Sequence, residues 1–217
     1  MAYIGKQPTA VPLTSSDITD GIISTAKIAD SAVTSVKTAD GTNLVKISSS
    51  TASGDSSIIF EFTGSYKVYL VKYFNVHTSA DAVHFKYNFS TDGTNYNVSK
   101  VSAGTKLFQN ESNTTHIINI DDTLKQANFT GDGEFIENVG NDNDENFAGE
   151  FRIFNPHSTT YQKHFQFNSN FSDYTPAIRN DVVVGYANTT SAITHVKFLP
   201  NTGTIDDGTF TLYGVRT

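Results

Sequence analysis

The pattern of apolar and polar positions changes character once along this chain. From residue 44 onward, apolar residues come in short runs separated by turn formers. AVHFKYNFS (82–90) is the clearest run: Val83, Phe85, Tyr87 and Phe89 alternate with His84, Lys86 and Asn88. A period of two places the two sets on opposite faces of a half-buried strand. SIIFEF (57–62) and YKVYLVKYFNV (66–76) precede it, with turns at Thr63-Gly64 and Thr78-Ser79-Ala80. STDGTNY follows and supplies an Asp-Gly turn at Asp92-Gly93. Further strands are predicted at KLFQ (106–109), THIINI (115–120), GEFRIFN (149–155), QKHFQFN (162–168), DVVVGYA (181–187), THVKFLP (194–200) and GTFTLYGV (208–215). Helical patterning is nearly absent; DDTLKQANF (121–129) could form one short helical turn. Short strands at this spacing predict an all-β fold, an antiparallel β-sandwich of jelly-roll type.

Residues before 44 follow another rule. Asp20, Asp30 and Asp40 each close a block of ten. The third position of each block is apolar (Leu13, Ile23, Val33) and is followed by a hydroxyl residue (Thr14, Ser24, Thr34). The eighth position holds Ile18, Ile28 and then Thr38. Apolar positions five apart fit neither a coiled-coil heptad nor a 3.6-residue helical face. Such a thin repeat cannot bury a core within one chain, whereas copies of the chain could supply the missing walls. The expectation is an extended arm or intertwined homotrimeric stalk over 1–43 and a β-sandwich domain over 44–217. Fully extended, one block would advance on the order of 33 Å. A flexible Ser/Thr-rich linker is the alternative.

Composition sharpens this picture. Aromatics are plentiful, with 16 Phe and 10 Tyr, and the polar residues are mainly Asn, Ser, Thr and Gly, a palette of strands and turns. The chain has no cysteine, which excludes a disulfide framework and thiolate metal sites. No apolar run approaches the roughly 20 residues of a membrane span, so no membrane insertion is expected. MAYIGKQPTAVPL lacks the apolar stretch of a secretory leader, so release from the cell by another route, such as lysis, is the expectation. A net charge of -7 without Lys/Arg clusters argues against nucleic acid as a partner.

Several segments carry a resemblance. MAYIGKQPTAVPLTSSDITDGIISTAKIADSAVT resembles the opening of virion structural and fibre-type proteins of tailed bacteriophages, especially marine and cyanobacterial ones. In those, a Tyr-Ile-Gly start precedes Ile-x-Thr-x-Lys-Ile-Ala-Asp repeats. FKYNFSTDGTNY, EFRIFNPHSTTYQKHFQF and AITHVKFLPNTGTIDDGTFTLYGVRT resemble a module often joined to that opening. The resemblance implies a phage virion component, trimeric, with a β-sandwich head, and transfers no catalytic residues.

Candidate chemistry is sparse. The six histidines (His77, His84, His116, His157, His164, His195) form no His-x-x-x-His or His-Glu-x-x-His pair. His84, His164 and His195 read as sheet-surface residues. No Gly-x-Ser-x-Gly elbow occurs. Glycoside hydrolysis needs two carboxylates across a groove, and the sequence cannot bring together any two of Glu61, Asp81, Glu134, Glu137 and Glu150. NDNDEN (141–146) offers oxygen ligands of the kind that bind Ca²⁺, but it lacks the Gly and distal Glu of an EF-hand and reads as a solvated loop. No enzyme activity, cofactor or metal is therefore expected.

Contact residues are expected instead. Leu13, Ile18, Ile23, Ile28, Val33, Asp20, Asp30 and Asp40 are candidates for stalk contacts between chains. Tyr69, Tyr73, Tyr96, Tyr161 and Tyr213, read as outward-facing, are candidates for subunit contacts or for stacking on sugar rings. The function expected is a homotrimeric fibre-like protein of the virion surface. It would contact other virion proteins through its arm and a host-cell glycan or surface protein through its head. The alternative is a capsid decoration protein whose arm clamps capsid subunits.

Overall fold

Tyr69, Val71 and Tyr73 lie on one face of a strand that is hydrogen-bonded on both sides, and that burial sets the plan of the molecule. A computed structural model describes residues 43–216, which belong to a compact unit spanning Asn43–Thr217. The ten-residue repeats, and with them Leu13 through Asp40, lie outside the described residues.

Twelve strands account for most of this unit: β1 (Leu44–Thr51), β2 (Ile58–Glu61), β3 (Val68–Thr78), β4 (Val83–Ser90), β5 (Lys100–Asn110), β6 (His116–Phe129), β7 (Gly133–Val139), β8 (Phe147–Phe154), β9 (Lys163–Asp173), β10 (Ala177–Ala187), β11 (His195–Pro200) and β12 (Ile205–Val215). Every pairing is antiparallel, and no helix occurs among the described residues. One run of neighbours is β1-β12-β3-β8-β9, extended through β10 and β5 to β6. The other is β7-β4-β11-β2, joined to the first by the single residue pair Val139↔Asp173.

Rings from the two runs meet. Phe135 of β7 stacks on Phe167 of β9 with centroids 4.5 Å apart. Phe85 of β4 meets Phe147 of β8 at 4.4 Å, and Phe198 of β11 meets Phe151 of β8 at 5.8 Å. All six rings are fully buried. Burying one such side chain contributes about 1.5–3 kcal/mol, and tilted or offset ring pairs add about 0.5–1.5 kcal/mol. The Phe-rich composition is thus spent on one continuous aromatic core.

The predicted alternation in β4 holds for Val83, Phe85, Tyr87 and Phe89, which are buried, with His84 and Lys86 half-buried. Asn88 departs from it and is buried. Its amide nitrogen faces Tyr96 O, Thr130 O and Asp132 Oδ1 at 2.7–3.2 Å, and its Oδ1 accepts from Lys100 Nζ at 3.0 Å. Gly64 and Gly93 adopt positive φ at the predicted turns. The Asp92-Gly93 turn does not close a hairpin, because β4 pairs β7 and β11 rather than β5.

DDTLKQANF is strand rather than a helical turn: it forms the second half of β6, paired with β5. The ladder offered by β5 outweighs local propensity. Two skips in register, between Lys100 and Ser102 and between Ser102 and Gly104, absorb the extra β6 residues, and Leu124 packs directly over Gly104.

Candidate functional site

The unit's most distinctive surface is built where β10, β5 and β6 carry the sheet beyond its aromatic core. β10 pairs β5 over eleven residues without a register break. The hairpin then brings Leu107 opposite Ile118, Thr105 opposite Ile120 and Gln109 opposite His116. Directly opposed residues share a face, so Ile118, Ile120 and Leu107 join Ile178 and Val184 of β10 on the outer face. These are exposed at 82, 70, 45, 50 and 51%. Beside them, Asn180 Nδ2 donates to Asn168 Oδ1 and Asn170 Oδ1 at 2.8 and 3.0 Å. The result is a largely uncharged, apolar and amide surface.

The opposite face of the same strands is ionic. Arg179 of β10, 2% exposed, donates from Nε to Asp181 Oδ1 at 2.8 Å and from Nη2 to Glu137 Oε2 at 2.8 Å and Asp121 Oδ2 at 3.1 Å. Asp173 Oδ2 lies 4.0 Å from Nη1, and Lys106 Nζ reaches Asp121 Oδ2 at 3.1 Å. The guanidinium also covers the Phe171 ring, 5.5 Å from its centroid. Strands β5, β6, β7, β9 and β10 are therefore tied at one point.

Two cations face four carboxylates there, and the titrations divide accordingly. Burial pushes the Asp181 carboxyl up to about 6 despite Arg179 beside it. Asp121 is also pushed up by burial, but the Thr123 amide, Lys106 and Arg179 overcome this and hold it below its ordinary value. Arg179 stays charged: burial opposes its charge, and Asp181 and Glu137 outweigh that cost.

Glu137 links this network to a second cluster. His84, Glu134 and Glu137 bring ligand-type atoms within 4.8 Å of one another, the one such trio among the described residues. The pairing of β7 with β4 slips twice, and Asn138 sits at φ 59°; Glu137 is buried and Glu134 half-buried. The donors are already engaged. His84 Nδ1 meets Glu134 Oε2 at 3.0 Å and its Nε2 meets Asn138 Oδ1 at 3.2 Å, while Lys86 Nζ takes Glu134 Oε1 at 3.2 Å. Two oxygen acceptors on one imidazole favour its doubly protonated form, and the His84 pKa is raised, chiefly by the Glu134 hydrogen bond. The cluster acts as an ion-paired clasp between β4 and β7.

A shallow groove of about 450 Å³ crosses β5, β8, β9 and β10, lined by Ala103, Phe154, His164, Gln166, Val184 and Tyr186 with Gly185 in its floor. His164 and Tyr186 meet edge to face, with centroids 6.0 Å apart. An aromatic rim around an apolar floor can take the flat face of a sugar ring.

The predicted contact tyrosines separate. Tyr69 and Tyr73 are not outward-facing: they are 0 and 1% exposed in the core. Tyr69 donates to Thr63 O and Gly64 O, and Tyr73 pairs with Ser169 Oγ at 2.7 Å. They lie on the face of β3 that packs against Phe62, Phe135, Phe147 and Phe210, while Lys72 and Phe74 of the same strand are exposed. Tyr161 is 70% exposed in the connection before β9. Tyr96 and Tyr213 are half-buried, and Lys197 Nζ sits 5.1 Å from the Tyr96 ring centroid. None of these tyrosines lines the groove. Sequence reasoning passed over Tyr186, although the alternation of Val182, Val184 and Tyr186 in DVVVGYA marks one strand face. Arg179 carried no signal, because its partners come from distant strands; of the carboxylates that sequence could not pair, the structure brings Glu134 and Glu137 within 4.8 Å of each other. In NDNDEN, Asp142, Asp144 and Glu145 do not form a ligand trio, and Glu145 Oε2 instead accepts the Asp142 N–H at 2.9 Å.

No protein-family model, curated protein or solved structure matches this chain.

Proposed function

We propose that this chain is a non-enzymatic structural protein of a tailed-bacteriophage virion. Residues 1–43 form an intertwined homotrimeric arm anchored on the particle, and the β unit is displayed outward for attachment to a host surface. The reading is carried by the pairing, in one chain, of a ten-residue repeat too thin to bury its own core with an antiparallel β unit. That unit leaves Leu107, Ile118, Ile120, Ile178 and Val184 exposed on one face, as suits a subunit that works in an assembly. In this reading the twelve strands are a two-layer, jelly-roll-like sandwich, with β2-β11-β4-β7 lying over the remaining strands. Core ring contacts such as Phe135–Phe167 and Phe151–Phe198 support that layering. The groove beside Tyr186 and His164 is then the place for a host glycan.

The largely uncharged β5–β6–β10 face also favours a second reading, lateral contact between many copies, as in a capsid decoration protein whose arm clamps capsid subunits. Antibody against residues 43–217, mapped on intact particles together with copy number from quantitative gels, decides between them. Label at the tail with few copies supports the fibre. Label over the whole shell at high copy number supports decoration. Absence from purified particles overturns both. In the arm, the substitution Ile23→Cys should cross-link chains to one another; failure to do so removes the stalk.

A further inference from the structure

The sheet ends at β6, and this edge differs from the others. β2 is only four residues long, and β1 presents Lys46, Ser48, Ser49, Ser50 and Thr51. Such short or polar edges resist pairing with other chains. β6 begins His116-Ile117-Ile118-Asn119-Ile120, is regularly paired with β5 from His116 to Asp121, and carries no Lys, Arg, Glu or Pro in that stretch. From His116 to Ile120 both of its faces are exposed. Its unpaired edge is a template for another strand.

The order of residues identifies that strand. On the outer face the sequence runs His116, Ile118, Ile120, Asp122. Set antiparallel to itself about Asn119, this row meets its own complement: His116 opposite Asp122, Ile118 opposite Ile120, and the same two pairs again by symmetry. A shift of an odd number of residues would turn the isoleucines to opposite faces. Centring on Ile118 instead would leave Asp122 opposite Thr114. Centring on Asn119 matches apolar with apolar and places an imidazole N–H against a carboxylate. In the single chain Asp122 is 84% exposed and held only by Lys125 at 2.7 Å. On the inner face Ile117 would oppose Asp121, whose charge Lys106 and Arg179 already satisfy.

We propose that two copies of this chain join edge to edge through β6, antiparallel about a twofold axis at Asn119, to make a sheet continuous across both molecules. Such a contact is isologous: each copy contributes the same patch. It is independent of the arm, so in an assembly held together by residues 1–43 it links one assembly to the next. An added strand buries less than the roughly 800 Å² per partner of a standard interface, so the contact forms where local concentration is high.

The full chain, free of native cysteine, allows a direct test. Directly opposed Cβ atoms lie about 4.5–5.5 Å apart, close to disulfide reach. N119C under mild oxidation should therefore give covalent dimers on a non-reducing gel, at a rate at least tenfold above a control I59C on the β2 edge. H116D in the N119C background should suppress cross-linking by placing carboxylates opposite each other. H116D combined with D122H should restore it, and that rescue also shows that the variants fold. No dimer above the control, or loss without rescue, overturns the pairing. A disulfide between the N119C variant and a cysteine of another virion protein would overturn it too, because the occupant would then be that protein. Virion location and this dimer are read separately. A particle protein whose N119C variant forms no dimer retains the first reading and loses the second, and the converse outcome does the reverse.

Discussion

Arg179 Nη2 in β10 reaches past β5 to Asp121 Oδ2 in β6 at 3.1 Å. The edge strand is thereby fastened to the interior from the side opposite its exposed isoleucines. A hairpin that offers Ile118 and Ile120 to solvent has little apolar burial to hold it, and this ion pair supplies the missing tie.

Replacing Arg179 by Met should be strongly destabilising. It leaves Asp121, Glu137 and Asp181 buried with one cation fewer, and breaking a buried pair from one side costs about 3–5 kcal/mol. Urea denaturation of the full chain should show a lower midpoint. Arg179→Lys should recover little of the loss, because one ammonium cannot replace the Nε and Nη2 contacts to strands β10, β7 and β6.

Asp181 predicts a pH dependence. Its folded pKa is raised to about 6 from the ordinary 3.8, so the folded chain keeps a proton that the unfolded chain has released. This contribution is fully present below pH 3.8 and is lost as pH rises through about 6. The unfolding free energy of the native chain, minus that of Asp181→Asn, should fall across this window. Asp121 and Glu134, held below their ordinary values, act in the opposite sense in both proteins and largely cancel in the difference. A flat difference between the two profiles would remove Asp181 from this role.

Lys100 predicts a second slope. Its ammonium is buried and donates to Gly131 O at 2.6 Å, with Asn88 Oδ1, Val98 O and Phe129 O also within reach. Burial lowers its pKa to about 8; Asp132 opposes the shift and Lys197 adds to it. Between about 8 and 10.5 the unfolded chain binds the proton and the folded chain does not, so this residue makes stability rise with pH there. Lys100→Met should abolish that rise. At neutral pH it should cost about 1–3 kcal/mol through the carbonyls left unpaired. Chemical denaturation at several pH values measures both.

Half-buried Gly149 marks a close approach between β8 and β9. A Cβ there would lie 2.3 Å from Asn168 O and 2.9 Å from the Tyr73 ring. The carbonyl belongs to the neighbouring strand and cannot turn aside, so Gly149→Ala should lower stability by about 1–3 kcal/mol. A thermal scan showing an unchanged midpoint would contradict this.

Much of the strand content was legible because strands with one face in a core must alternate, and aromatic and β-branched residues advertise it. The β4 pattern from Val83 to Phe89 is the plainest case. β7 was missed for a physical reason: in GEFIENV Ile136 is buried beside Phe135 and Glu137, so the alternation is lost, and its register with β4 slips twice. The outward reading of Tyr69 and Tyr73 failed because the local pattern does not tell which face of β3 meets the core: Lys72 and Phe74 are the exposed set.

By itself, the sequence determined the all-β class, most strand positions, the turns at Gly64 and Gly93, and the ten-residue repeat, since each depends on residues near one another in the chain. Only the tertiary structure decided that β6 is an uncovered edge, that Arg179 gathers Asp121, Glu137 and Asp181, and that Tyr186 borders a groove. Those facts depend on which strands become neighbours, often between residues far apart in the chain. Many pairings bury similar apolar area, and it is the simultaneous packing of one aromatic core and the placing of partners around buried charges such as Arg179 and Lys100 that selects among them.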